Sequence, residues 1–276
     1  MTEPIIANFV KGAIPNKTDL RNYRLEALPC ATVLPSVFSV KEKVGKIKSQ
    51  NGSGSCVSQA VTYYAEILNT IETGEKVSLS PKFLYPWVFQ KPMGSSIADN
   101  MARVCNEGIA LESDVTSYEN GNPPSEAYMQ IKPTLSQQML DLAKTYIAKK
   151  YVTWDNSSVE WFKRAMVQGN GCVVASWGNN LNWRTGDIEL PAFREQMVWR
   201  HGICLIGYDD SKKAFEFVNS WGTEWGNGGF GWLPYAYVEQ GYVSSPMSLV
   251  DVPNGTYSLL MKLIGLYHNV ISLLKK

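Results

Sequence analysis

The chain of 276 residues is poor in histidine, in closely spaced cysteines and in net charge. It has two histidines, His201 and His268, and five scattered cysteines with no Cys-x-x-Cys pair. This pattern argues against a disulfide scaffold and against a zinc site. Since 26 basic residues face 25 acidic ones, the net charge of +1 provides no bulk attraction to nucleic acid. We therefore expect neither a metal nor a nucleic-acid partner.

Targeting and membrane signals are also missing from the sequence. Residues 1–17 contain no basic segment followed by an apolar run, and no long uncharged stretch suggests a membrane span. We therefore expect a cytoplasmic protein, with release by lysis or a viral origin as alternatives.

One glycine-rich segment matches a cofactor pattern by chance. Residues 226–231 fit the dinucleotide motif G-x-G-x-x-G, but Trp232-Leu-Pro234 follows where that motif needs a helix. We interpret its glycines as turn residues and expect no cofactor.

The apolar positions change their period along the chain. From Cys56 to Ile71 they recur every three or four residues, which predicts a helix with Ser55 as N-cap and Gly74 as its end. Further patterns predict helices at about 97–108, 136–149 and 158–167 and strands at 171–177, 202–208 and 214–219. A helical half followed by a sheet half indicates a cleft between them as the site.

Cys56 is the first candidate for chemistry. It follows the polar loop Gln50-Asn-Gly-Ser-Gly-Ser55 and begins the first predicted helix, where unpaired N–H groups and the helix dipole favour a thiolate. A small buried hydrophobe is the alternative. The glycine-rich loop favours the nucleophile, because packing alone does not require it.

His201 and Asn219 form the second candidate. They lie at equal distances from Asp210 in a predicted hairpin, so they would be directly opposed on its two strands. An amide oxygen there could hold the imidazole and fix which ring nitrogen faces a nucleophile. The alternative is a hydrogen-bonded strand histidine beside a turn-forming asparagine.

Three motifs together resemble those of papain-like cysteine peptidases, and the short leader with Asp19-Leu-Arg-Asn-Tyr23 is more similar to the bacterial and viral branch of that family. The three motifs are Gln50-Asn-Gly-Ser-Gly-Ser-Cys56, His201-Gly-Ile-Cys-Leu-Ile-Gly-Tyr-Asp209 and Asn219-Ser-Trp-Gly-Thr-Glu-Trp-Gly226, in the family's order and spacing. The resemblance implies a two-lobed α+β fold, with a helical lobe at about 50–140 and an antiparallel β lobe at about 141–250 plus 34–49. It leaves residues 1–33 as an extension or short prosegment and residues 251–276 as a linker and amphipathic helix.

The resemblance also implies a role for each matching residue. Cys56 would be the nucleophile, His201 the base and then the acid, Asn219 the orienting group, and Gln50 with the Cys56 N–H the oxyanion hole. Gly94 and Ser95 would bind substrate backbone, and Trp221 would cover the bond between His201 and Asn219.

The expected activity is hydrolysis of peptide bonds through a thioester, with a peptide or protein as partner. The alternatives are an endopeptidase or amidase for cell-wall peptides and a catalytically silent binding or structural protein. Three departures from the family pattern stand out, namely Val57, Ser53 and Arg200. Arg200 would disfavour an imidazolium at His201.

The N-terminal extension needs a surface to pack against. The polar, proline-containing residues 1–33 would lose entropy on ordering unless they pack on the domain. We expect them to lie across the helical lobe or the cleft and restrain activity, or else to brace an edge.

The C-terminal segment generates a first test. Its apolar residues recur at helical spacing and predict that the segment packs on the enzyme, pairs with other copies or lies on a membrane. This apolar stripe consists of Leu260, Leu263, Tyr267, Val270 and Leu274. We expect self-association, so light scattering should give a larger mass for the whole chain than for one ending at Asp251. Equal monomer masses would remove self-association.

Overall fold

A computed structural model describes residues 9–17, 23–27 and 33–250 of the chain. Its helices are α1 (Cys56–Thr73), α2 (Pro81–Val88), α3 (Ile97–Glu107), α4 (Glu126–Gln130), α5 (Gln137–Ala143), α6 (Val159–Gly169) and α7 (Ala236–Glu239). Its strands are β1 (Ala13–Ile14), β2 (Tyr23–Arg24), β3 (Val37–Ser39), β4 (Ser95–Ser96), β5 (Lys150–Thr153), β6 (Cys172–Gly178), β7 (Trp199–Asp209), β8 (Ala214–Val218), β9 (Phe230–Pro234) and β10 (Val243–Val250). None of the described helices is long and apolar enough to cross a membrane.

The strands form one large, mostly antiparallel sheet and one small parallel pair. The large sheet has the order β2-β5-β10-β6-β7-β8-β9, and β3 pairs with the far end of β7. Only β2 and β5 run parallel within it, and the small pair consists of β1 and β4. Helices followed by this sheet confirm the α+β class.

Strand β7 carries the core on both of its faces. Cys204 and Ile206 pack in the cluster that contains α1, while Ile203 and Leu205 pack in a second, aromatic-rich cluster. Alternation along a strand sends neighbouring side chains to opposite faces. The apolar run of β7 is therefore what a strand buried on both sides requires.

Helix α1 ends as the sequence predicts but begins differently. Gly74 takes the left-handed conformation (φ 80°) and its N–H donates to the Thr70 carbonyl. Ser55 stands at the N-cap position but caps no backbone N–H, because its hydroxyl bonds the Ser53 hydroxyl and accepts from Gln59. The loop before Cys56 is thus held by side chains.

The helix predicted at 136–149 is too long. Helix α5 ends at Ala143, a short 3₁₀ turn follows, and β5 starts at Lys150. Pairing of β5 with β10 extends the chain there, so tertiary hydrogen bonding overrides the local helical period.

Part of the N-terminal extension contributes to the sheet and the core. Strand β2 pairs with β5 at the sheet edge, and the Glu26 carboxylate accepts the Asp155 N–H at 2.8 Å. Leu25 is 1% exposed and belongs to the aromatic-rich cluster, whereas Val33 is 80% exposed.

This burial predicts different costs for two substitutions in the same segment. Leu25→Ala should lower the free energy of unfolding by about 2–4 kcal/mol, because it leaves a cavity in the core. Val33→Ala is the matched control and should change it by less than about 0.5 kcal/mol. Urea denaturation measures both, and equal effects would contradict the anchoring role of Leu25.

Candidate active site

Cys56 lies at the N-terminus of α1 and faces strand β7. Its side chain is fully buried, and its Sγ accepts the backbone N–H of Gly202 at 3.3 Å and that of Gly12 at 3.4 Å. These donors favour a thiolate, but burial dominates and raises the pKa of the thiol. In this state Cys56 is a protonated thiol at neutral pH.

His201 and Asn219 form the expected hydrogen bond, but not by direct opposition. Their Nε2 and Oδ1 atoms are 2.8 Å apart. Residue Ser176 of β6 faces His201 across the sheet, and the hairpin pairs Cys204 with Val218 past a bulge. The predicted symmetry about Asp210 is therefore wrong, because Asp209 pairs with Ala214 and the turn is centred between Ser211 and Lys212.

The position of Asn219 depends on the loop after β8. Asn219 follows the last residue of that strand, and its N–H donates to the Gly229 carbonyl at 2.9 Å. Asn219 Oδ1 also accepts the Ser220 N–H at 2.8 Å, which identifies this atom as the oxygen. His201 therefore donates through Nε2–H.

The other ring nitrogen of His201 is set up to receive a proton. Nδ1 is buried and has no hydrogen-bond partner among the described residues. The indole of Trp221 packs against the imidazole with ring centroids 4.6 Å apart and is itself 1% exposed. This cover excludes water from the bond between His201 and Asn219, as predicted for Trp221.

Gln50 is held so that its amide N–H groups face the groove above Cys56. Its Oε1 accepts the Ser220 hydroxyl at 2.6 Å, and its Nε2 donates to the carbonyls of Val10 at 2.6 Å and Ser53 at 2.9 Å. A fixed donor aimed at a carbonyl oxygen is the geometry of an oxyanion hole.

Two supporting residues were not identified from the sequence. The Glu126 carboxylate accepts the Gly54 N–H at 2.5 Å and the Tyr85 hydroxyl at 2.7 Å, and that hydroxyl accepts the Gly94 N–H at 3.1 Å. The carboxylate thus ties the loop before Cys56 to the opposite rim. Glu126 lies 70 residues beyond Cys56, so no local pattern indicates this contact.

Residues 9–16, which we call the leader strap, fill the groove above Cys56. The Phe9 ring stacks on Trp221 with centroids 5.5 Å apart, and the Val10 carbonyl occupies the Gln50 donor. Toward the other end, β1 pairs with β4 and Asn16 Oδ1 accepts the Ala98 N–H at 3.0 Å. The strap therefore crosses the whole site.

Glycines allow the strap to pass close to Cys56. A Cβ on Gly12 would lie 2.3 Å from the Gly54 carbonyl oxygen, and one on Gly94 would lie 2.1 Å from the Gly12 oxygen. The Gly12 carbonyl also accepts the Ser95 N–H at 2.9 Å. Gly94 and Ser95, predicted to bind substrate backbone, here bind the chain's own backbone.

The strap runs against the direction that cleavage requires. The amine released from a peptide takes its proton from the base, so the residues after the cut bond must lie near His201 and its neighbour Trp221. In the strap the earlier residue, Phe9, lies at Trp221, and the later residue, Ala13, pairs with Ser95. The Val10 carbonyl therefore lies at the Gln50 donor, but the amide nitrogen bonded to it points away from His201.

Burial keeps the two reactive side chains neutral. Burial lowers the pKa of His201 to about 3, the Asn219 hydrogen bond opposes this shift, and the Lys11 cation adds to it. The Lys11 ammonium lies 5.3 Å from the Trp199 ring centroid and 5.5 Å from that of Trp221. A thiolate and imidazolium pair is disfavoured while the strap is bound.

Comparison with known proteins assigns the chain to a family. A model of the papain family cysteine protease matches residues 34–247, so the chain belongs to this family of hydrolases. An uncharacterised peptidase C1-like protein of Acanthamoeba polyphaga mimivirus is 23% identical over 86% of this chain and 81% of its own length. A cysteine protease of the mite Blomia tropicalis is 24% identical over 76% of this chain, which spans 63% of that relative.

Solved structures show the same fold. Xylellain, a cysteine protease from Xylella fastidiosa, aligns with a TM-score of 0.75 at 20% identity, covering 88% of this chain and 96% of xylellain. A Carica candamarcensis cysteine protease in complex with E-64 aligns with a TM-score of 0.59 at 21% identity, covering 80% of this chain and 100% of that protease. The predicted family, its viral relatives, the two-lobed fold and the cysteine peptidase function are confirmed.

Proposed function

We propose that this chain is a cysteine peptidase that uses Cys56, His201, Asn219 and Gln50, and that the described state is latent. The observation that supports it best is the Val10 carbonyl bound to Gln50 Nε2 at 2.6 Å beside the thiol. A peptide carbonyl already lies where a substrate carbonyl would be held, but on a chain of the wrong polarity.

The chemistry follows from the positions of the donors. With the strap displaced, His201 Nδ1 takes the Cys56 proton and the thiolate attacks a substrate carbonyl. Gln50 Nε2–H and the Cys56 N–H, a free donor of the first helical turn, stabilise the oxyanion. His201 then protonates the leaving amine, and a water activated by the same base hydrolyses the thioester, with Asn219 holding the ring throughout.

Substitution of the proposed catalytic residues tests the chemistry. Cys56→Ala and His201→Ala should each lower the rate of peptide hydrolysis at least about a thousandfold, since one removes the nucleophile and the other the base. Asn219→Ala should cost less, about ten- to a hundredfold, because it disturbs orientation only. The matched control is Cys105→Ala in α3, which should retain activity.

These rates are measured in the wild-type chain and in a chain with a displaced strap. Mass spectrometry after treatment with a thiol-directed epoxide should locate the label on Cys56. Hydrolysis by Cys56→Ala at a rate comparable to that of the wild-type chain would end the proposal. Absence of the epoxide label from Cys56 in both chains would also end it.

A second test addresses latency. Gly12→Ala should raise peptidase activity and Cys56 labelling, because the added methyl group meets the Gly54 carbonyl. Overpacking costs about 1–3 kcal/mol, so the open fraction should increase about five- to a hundredfold. Gly45→Ala is the control, since its Cβ would have only the Val77 oxygen near it, at 3.7 Å.

Unchanged activity and labelling in Gly12→Ala, with Gly45→Ala also unchanged, would show that the strap does not limit access. The strap would then act as an edge brace, and the catalytic assignment would be judged by the first test alone.

A further inference from the structure

Arg200 lies beside the active site and faces the cleft. It precedes His201 on β7, and alternation places its side chain on the same face as Gly202, whose N–H bonds the Cys56 thiol. Its Nη2 donates to the Ser244 hydroxyl at 2.6 Å, across strand β6. The guanidinium therefore lies on the side of the sheet that the strap covers.

This cation has no carboxylate partner among the described residues. Its Nε is buried without a hydrogen bond, and its nearest aromatic neighbour is Trp177, with Cζ 5.5 Å from the ring centroid. Burial lowers the pKa of the guanidinium, which shows that its charge is poorly solvated. Charged groups withdrawn from water are normally paired, so this one is poised to bind an anion.

The strap shows which part of a substrate would meet the guanidinium. Strand β1 packs against β7, and beyond it Asn16 Nδ2 donates to Met247 Sδ of β10, the strand that carries Ser244. Ala13 is the third residue after Val10, whose carbonyl occupies the Gln50 donor. Its methyl group offers no partner to the cation.

We propose that Arg200 selects substrates with aspartate or glutamate within three residues of the cut bond, on its amino side. That side is the one bound along Ser95, because the amine side must face His201 and Trp221. A carboxylate there would meet a planar guanidinium with free donors, the geometry that favours charge-assisted hydrogen bonds.

This inference rests on the proposed function. A different role for Arg200 would be purely electrostatic, since its charge also acts on Cys56 and would oppose an imidazolium at His201. That role would change the rate for every peptide equally, whereas selection depends on the peptide.

The test uses the full-length chain carrying Gly12→Ala and peptides that differ only at one of those three positions, each position being varied in turn. The kcat/KM for the glutamate peptide should exceed that for the glutamine peptide about ten- to a hundredfold, mainly through KM. Arg200→Gln should reduce this ratio to near one, Arg200→Lys should retain part of it, and Arg200→Glu should favour a lysine peptide.

The exposed Arg184 supplies the matched control. Arg184→Gln removes one positive charge from the loop between β6 and β7 and should leave the ratio unchanged. A ratio of the two kcat/KM values near one in the chain carrying Gly12→Ala alone would overturn the selective role. A ratio that Arg200→Gln leaves unchanged would also overturn it. Failure of the proposed function looks different, because then no peptide is cleaved and Cys56 is not labelled by the epoxide.

Discussion

The close approach of α1 to β7 at Gly202 is the constraint on which the site depends. A Cβ on Gly202 would lie 2.9 Å from the Cα of Val57, so only glycine lets the first turn of the helix rest on the strand. The Gly202 N–H then reaches the Cys56 Sγ at 3.3 Å, one residue after His201. One contact between two backbones thereby sets the thiol against the residue that follows His201 in β7.

The remaining site residues are fixed relative to that contact by a small network. Ser220 is its centre, because its N–H donates to Asn219 Oδ1 and its hydroxyl to Gln50 Oε1. The group that orients His201 and the group that forms the oxyanion hole are thus positioned by adjacent residues of one loop. A shift of this loop would therefore move the partner of His201 and the partner of Gln50 together.

The sequence carried enough information for the reactive residues but not for their supports. The helical period after Cys56 and the motif around Asn219 predicted the site because these signals are local. The direct opposition of His201 and Asn219 failed because the hairpin turn is centred between Ser211 and Lys212 rather than at Asp210, as the pairing of Asp209 with Ala214 shows. Glu126 and the path of the strap depend on backbone contacts between distant segments, which residue types do not encode.

The polarity of the strap explains how a peptide can occupy the site without being its substrate. Catalysis needs a carbonyl at Gln50 and an amine beside His201, and the reversed chain supplies only the carbonyl. Near the imidazole it places Lys11, whose positive charge opposes protonation of His201. Leu25, only 1% exposed in the core, anchors the segment that follows the strap. In the proposed latent state, release of the strap from the groove would not require loss of this anchor, so the strap would stay at high local concentration beside the groove.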